Sequence, residues 1–148
     1  MPLRWIQLPP DERNEFLGGG GTGVIAFSTE KEEPPFSLPI SYGYLEDNET
    51  FYFRLAFLDE SNKRTYVDRP VSFVTHERAD RVWRSVIATG RLEALEDAPY
   101  DSIAVQGMWG VDIPTIDIFD RPRDEVTFHD FRLVPERLSG RKAIPLDE

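Results

Sequence analysis

The sequence predicts a mainly β fold: an antiparallel barrel, closed or half-closed, carrying a few short helices. Two observations lead to it. Apolar residues recur at every second position in successive runs, and those runs follow one another in hairpin order through short polar turns. Helical patterning is confined to short stretches, a combination that an antiparallel barrel satisfies.

Residues Pro9 to Leu17 read as an opening helix, since prolines precede it, Asp11 and Glu12 suit its positive end and Gly18 supplies a stop. Its expected place is over one end of the barrel. The run Gly18-Gly19-Gly20-Gly21-Thr22-Gly23 formally satisfies G-x-G-x-x-G. A dinucleotide fingerprint, however, leaves a strand and opens a helix, whereas this run leaves a helix and opens the strand-like Val24-Ile25-Ala26-Phe27. It reads as a flexible connector.

Beyond it, Phe36, Leu38, Ile40, Tyr42 and Tyr44 fall on one strand face, and Ser37, Pro39, Ser41 and Gly43 on the other. The chain reverses at Glu46-Asp47-Asn48. The next strand sets Phe51, Phe53, Leu55 and Phe57 against Tyr52, Arg54 and Ala56, giving a long hairpin with an aromatic core face. Further strands are expected at Val71 to Thr75, Trp83 to Leu95 and Val126 to Val134, and a helix at Ala98 to Val111. Lys31 to Pro35 and Asp59 to Arg64 are polar loops, the second of which delivers Lys63.

At 148 residues, with no internal repeat or low-complexity linker, residues 1–148 are expected to form one domain. A domain of this size buries roughly 70% of the surface of its unfolded chain. The absence of cysteine excludes disulfides, thiolate metal sites and a cysteine nucleophile. The opening residues lack a basic region followed by an apolar run, and no stretch of about 18 apolar residues occurs, so a cytoplasmic protein is expected. Twenty-seven acids against 17 bases give a net charge of −10, which makes nucleic acid an unfavourable partner. Only three of the bases are lysines, Lys31, Lys63 and Lys142; an acidic, lysine-poor chain suits a halophilic, high-salt cytosol in which charge repulsion is screened within about 3 Å at 1 M salt.

Lys63 sits in a polar loop after a strand, where an ammonium could hold a phosphate through a charge-assisted hydrogen bond of about 1.5–3 kcal/mol. In isolation it reads as a solvated surface lysine. Arg54, on the face away from the phenylalanines, is either an outward charge or a two-pronged phosphate contact. Ser41 is a serine on the polar face of its strand, and Trp83 on its own reads as core.

Taken together, Pro39-Ile40-Ser41-Tyr42, then Tyr52-Phe53-Arg54-Leu55-Ala56, Lys63, and Trp83-Arg84-Ser85-Val86 with Gly90 resemble the pyridoxamine-phosphate-oxidase-like split barrels, in particular the nitroimidazole-resistance branch. The closing run Phe131 to Lys142, with Ser139-Gly140-Arg141, is similar to the family's last strand, and the resemblance spans about Pro10 to Lys142.

The resemblance implies an FMN-binding split β-barrel, a homodimer whose flavin lies in the groove between subunits, acting as an oxidoreductase on a small-molecule substrate. It implies that Lys63 grips the terminal phosphate. The intervening loop is about two residues longer than usual in similar proteins, which leaves the register of Lys63 against Arg64 open. Arg54 and Leu55 would contact phosphate and ring, Ser41 and Tyr42 would line the ring's pyrimidine edge, and Trp83, Ser85 and Val86 would lie against the flavin. The histidine of the nitroimidazole-resistance branch is replaced here by Arg54, and the Arg-x-His of vitamin B6 oxidases is missing. Chemistry belonging to those residues is not carried over, and no catalytic residue is assigned. A deazaflavin cofactor, or a non-catalytic flavin or haem carrier or sensor on the same scaffold, are the alternatives.

Other constellations fail. His76 and His129 are too few and too isolated for a zinc triad, and neither G-x-S-x-G nor G-K-[ST] occurs. Asn48-Glu49-Thr50 is formally a glycosylation sequon but reads as a turn.

Overall fold

The computed structural model describes residues 3–29, 32–57, 69–95 and 127–145. They form strand β1 (Leu3–Gln7), helix α1 (Pro10–Leu17) and strands β2 (Gly20–Phe27), β3 (Phe36–Leu45), β4 (Thr50–Phe57), β5 (Pro70–Ala79), β6 (Val82–Ala94), β7 (Thr127–Leu133) and β8 (Arg137–Pro145). A single 3-10 turn, Glu46–Asn48, joins β3 to β4. The β5–β6 hairpin turns on Asp80 and Arg81, both left-handed with φ of 53° and 68°, as a two-residue primed turn requires.

The strands make one antiparallel sheet in the order β1-β8-β6-β5-β2-β3-β4-β7, and an added β6–β7 pairing closes six of them into a barrel. Strand β6 is the hinge of this arrangement. Residues 83–89 of β6 pair with β8, and residues 92–94 pair with β7. Two residues separate Thr89 from Leu92 on β6, while three, Val134, Pro135 and Glu136, separate their partners Arg137 and Leu133. That extra residue is a bulge, and it divides the closing run Phe131 to Lys142, one strand by the resemblance, between β7 and β8, while β7 itself falls within the strand expected at Val126 to Val134. Pro135 has no N–H to give, and the ladder resumes with the Glu136 N–H donating to the Thr89 carbonyl at 2.8 Å.

Gly90 faces this bulge. A methyl group there would lie 2.9 Å from Leu133 Cδ1 and 3.2 Å from the Val134 carbonyl oxygen. The glycine therefore serves the branching of the barrel.

Alternation along the strands builds the interior. Ile25 and Phe27, Ile40, Tyr42 and Tyr44, Phe51, Phe53 and Leu55, Val71 and Phe73, Val86, Ala88 and Leu92, and Phe131 and Leu133 form one buried cluster. Its centre is aromatic: Phe73 meets Tyr42 and Phe53 edge-on, with ring centroids 5.2 and 5.0 Å apart. Each such ring contributes roughly 1.5–3 kcal/mol through burial. Helix α1 is fixed to this core by Leu17 and by two tyrosines. The Tyr42 hydroxyl donates to the Leu17 carbonyl at 3.0 Å, and Tyr44 bonds Asn14 Oδ1 at 2.7 Å. Lys142 and Arg84 both reach Glu12 on the helix, at 2.9 and 3.7 Å.

Two elements differ from expectation. The glycine run is not a loose connector, because β2 begins at Gly20 and pairs with β3 from Gly20↔Gly43 onward. The missing side chains make room for neighbours, as a Cβ on Gly21 would sit 3.1 Å from the Tyr42 ring. Strand β1, paired with β8, had no counterpart in the sequence reading. The expected helix at Ala98 to Val111 lies outside the described residues. Among the described residues no helix is long and apolar enough to cross a membrane.

Candidate functional site

The parity that fills the barrel also sorts the candidate residues. Because Tyr42 and Phe53 are paired and face inward, Ser41 and Arg54, one step away on their strands, share the outer face. Ser41 is only 6% exposed, and its Oγ has no hydrogen-bond partner among the described residues. A buried hydroxyl left so costs about 1–3 kcal/mol, which an incoming polar group would offset. Tyr52, two residues before Arg54 on the same face, is fully buried and its hydroxyl is likewise unmet.

Arg54 is half-exposed and pairs directly across the sheet with Asp130 on β7. Its Nε donates to Asp130 Oδ1 at 2.8 Å. That hydrogen bond raises the guanidinium's already high pKa, so Arg54 is a fixed positive charge.

Tyr42, Leu55 and Val86 point into the interior. Tyr42 is held by Phe51, Phe73 and the Leu17 carbonyl, so these three residues can offer an outer-face ligand only their backbone.

Trp83 and Ser85 also lie on the outer face, but on β6. Along the sheet order β6 lies three strand spacings from Ser41 on β3 and four from Arg54 on β4, roughly 14 and 19 Å; the other way round, through β7, meets β6 only at residues 92–94, at least seven residues or about 23 Å along the strand from Ser85. One protomer thus brings Ser41 and Arg54 together and sets Trp83 and Ser85 apart. The Arg78 guanidinium lies 5.5 Å from the centroid of the Trp83 ring, which is 38% exposed. Trp83 is therefore a surface aromatic rather than a core one. Lys63 and Arg64 lie outside the described residues. Among those described, no group of three acidic or histidine residues is placed to hold a metal ion.

Sequence reasoning missed Asp130 and passed over Tyr52 as a site residue. The strand pattern already put Tyr52 on Arg54's face; nothing short of the β4–β7 register could have found Asp130.

A six-strand barrel whose sixth pairing branches into two further strands is a split β-barrel, and its outer face carries the hydroxyl and guanidinium described above. The chain belongs to the pyridoxamine 5'-phosphate oxidase family, whose model matches residues 9–142. No curated protein sequence matches it.

Among solved structures it is similar to an FAD-binding protein of Mycobacterium smegmatis (19% identity, TM-score 0.66, 92% of this chain and 96% of that one). A second is an FAD-binding protein of Mesorhizobium loti (21% identity, TM-score 0.65, 97% and 100%). A third is a candidate 5-nitroimidazole antibiotic resistance protein of Bacteroides thetaiotaomicron (18% identity, TM-score 0.59, 97% and 90%). At these identities the likeness is one of fold.

Proposed function

We propose that this chain is a flavin-dependent oxidoreductase that holds FMN against the outer face of β3 and β4. The observation that carries the reading is the buried Ser41 hydroxyl, without a hydrogen-bond partner among the described residues, on the same sheet face as the Arg54 guanidinium, in a chain of this family whose structural neighbours include proteins named for FAD binding. A hydroxyl and a fixed cation on one sheet face suit a ligand with a polar ring edge and an anionic tail. Ser41, with the Tyr42 backbone, would meet the ring edge, and Arg54 the phosphate. Lys63 would add a second cation. Redox capacity would be the flavin's own, and the protein's part is capture, orientation and exclusion of water.

The separation of Trp83 and Ser85 from Ser41 supports a homodimer. Side chains three strand spacings, roughly 14 Å, apart around the convex face of a closed sheet diverge and do not face one ring from the same protomer. A second copy would supply them to the groove. The acidic, lysine-poor composition supports a place in a high-salt cytoplasm.

Protein purified in high salt tests the reading. A yellow preparation that releases one flavin per chain on denaturation, identified as FMN by mass, and a dimer in gel filtration are expected. A colourless protein that takes up no added FMN overturns it. A released FAD or deazaflavin replaces the cofactor assignment, and a bound flavin that reduced nicotinamide cannot reduce with any acceptor present makes the chain a carrier.

A further inference from the structure

We propose that Asp130 is a positioning residue that aims Arg54 at the phosphate of the bound flavin and so sets the preference for phosphorylated over unphosphorylated flavin. The inference rests on the flavin reading above.

Arg54 and Asp130 are register partners on β4 and β7, so the two side chains leave adjacent backbone positions on one face. The contact is made through Nε, at 2.8 Å. A guanidinium is a rigid plane, and a bond that fixes Nε fixes the direction of the edge carrying its two terminal nitrogens. That edge is the one whose paired N–H groups match two phosphate oxygens. Arg132, two residues after Asp130 on β7, shows the contrasting arrangement. It meets Glu93 Oε2 through both Nε and Nη2, at 2.9 Å each, so one of its terminal nitrogens is already engaged.

Half-exposed, an arginine without its carboxylate would spread over several rotamers, and binding phosphate would then have to order it again. Immobilising a flexible side chain costs about 0.5–1.5 kcal/mol, or roughly two- to tenfold in affinity. Riboflavin, which lacks the phosphate, does not use the guanidinium and is indifferent to its order. Asp130 therefore acts on the ratio of the two affinities.

The test measures dissociation constants of FMN and riboflavin by flavin fluorescence for the whole 148-residue chain. Asp130→Ala is expected to weaken FMN about fivefold and leave riboflavin unchanged. Asp130→Asn keeps an oxygen that can accept from Nε and is expected to stay within about twofold of the unmodified protein. In an Arg54→Lys background, which has no Nε–H fork to aim, Asp130→Ala is expected to be silent.

Tighter FMN binding in Asp130→Ala would mean that the carboxylate competes with phosphate, and would overturn the inference. So would equal losses for both flavins, which mark a purely structural role, or unchanged affinities. If Asp130→Ala fails to fold, the asparagine variant and the Arg54→Lys variant decide: Asp130→Asn weakened as much as Arg54→Lys, or Arg54→Lys binding FMN normally, overturns it. An unmodified protein that binds neither flavin sinks the flavin reading itself, whereas FMN binding with an unchanged FMN-to-riboflavin ratio sinks this inference alone.

Discussion

Gly23 of β2 abuts Val74 of β5 so closely that a methyl group on its Cα would run into the Val74 carbonyl oxygen and lie 2.7 Å from Cζ of Phe73. Neither neighbour can give way cheaply. The carbonyl belongs to a ladder that pairs Val24 with Val74, and Phe73 is fully buried at the aromatic centre. Gly23→Ala is expected to destabilise the protein by about 3 kcal/mol, the upper end of overpacking costs. Gly19→Ala, where nothing lies within 4 Å, is the control and should be near neutral. Urea unfolding of both variants checks the contrast; equal midpoints would show that β2 and β5 can separate at this point.

Tyr44 gives the fold an alkaline weakness. Burial, followed by the charges of Glu49 and Glu46 acting against Arg13, pushes its hydroxyl up to about 12 from an ordinary 10. A folded pKa above the unfolded one means that the native state keeps its proton while the unfolded chain loses it. The contribution is therefore fully present below pH 10 and is lost as the pH rises from 10 towards 12. The Tyr42 hydroxyl, raised chiefly by burial, acts in the same direction. Stability should fall steeply across that window. In Tyr44→Phe, which also loses the bond to Asn14, the fall should be shallower from a lower starting stability. Parallel pH profiles for the two proteins would remove Tyr44 from this role.

The elements legible in the sequence are those whose side chains alternate. Phe36 to Tyr44 and Phe51 to Leu55 announce β3 and β4 because one face is aromatic and buried. The same parity places Ser41 and Arg54 outside and Tyr42 within. The glycine run hides the start of β2, since residues without side chains carry no periodic signal even where close packing demands them. Strand β1 is hidden for a different reason: four of its five residues are exposed, so no buried face prints an alternation. The Arg54–Asp130 pair joins residues 76 positions apart, and only the β4–β7 register could reveal it. Gly90 enters the sequence reading only through the resemblance, whereas its physical cause is the bulge it faces.

Charge repulsion in a chain of net charge −10 should make stability depend on salt. At low ionic strength repulsion between exposed carboxylates reaches across the surface, whereas at 1 M salt it is screened within about 3 Å. The surface ion pairs, such as Arg13 with the half-exposed Glu49, are screened too, but each contributes only about 0–1 kcal/mol. Net repulsion is therefore the larger effect, and the melting temperature should climb between dilute buffer and molar potassium chloride. A flat or falling response would remove the high-salt reading.

On the proposed flavin reading, Lys63 and Arg64 are the two registers in which a loop cation would meet the phosphate, and affinity separates them. One ionic hydrogen bond contributes about 1.5–3 kcal/mol, so its loss should weaken FMN binding at least tenfold. Lys63→Ala is expected to show that loss for FMN, to leave riboflavin binding unchanged and to keep the melting temperature of the flavin-free protein. Arg64→Ala should change FMN affinity less than twofold. The reverse pattern would transfer the role to Arg64, and two silent variants would leave Arg54 as the phosphate's cation among these three. Fluorescence titration at one fixed salt concentration is required, because screening would otherwise blur a contact made of charge.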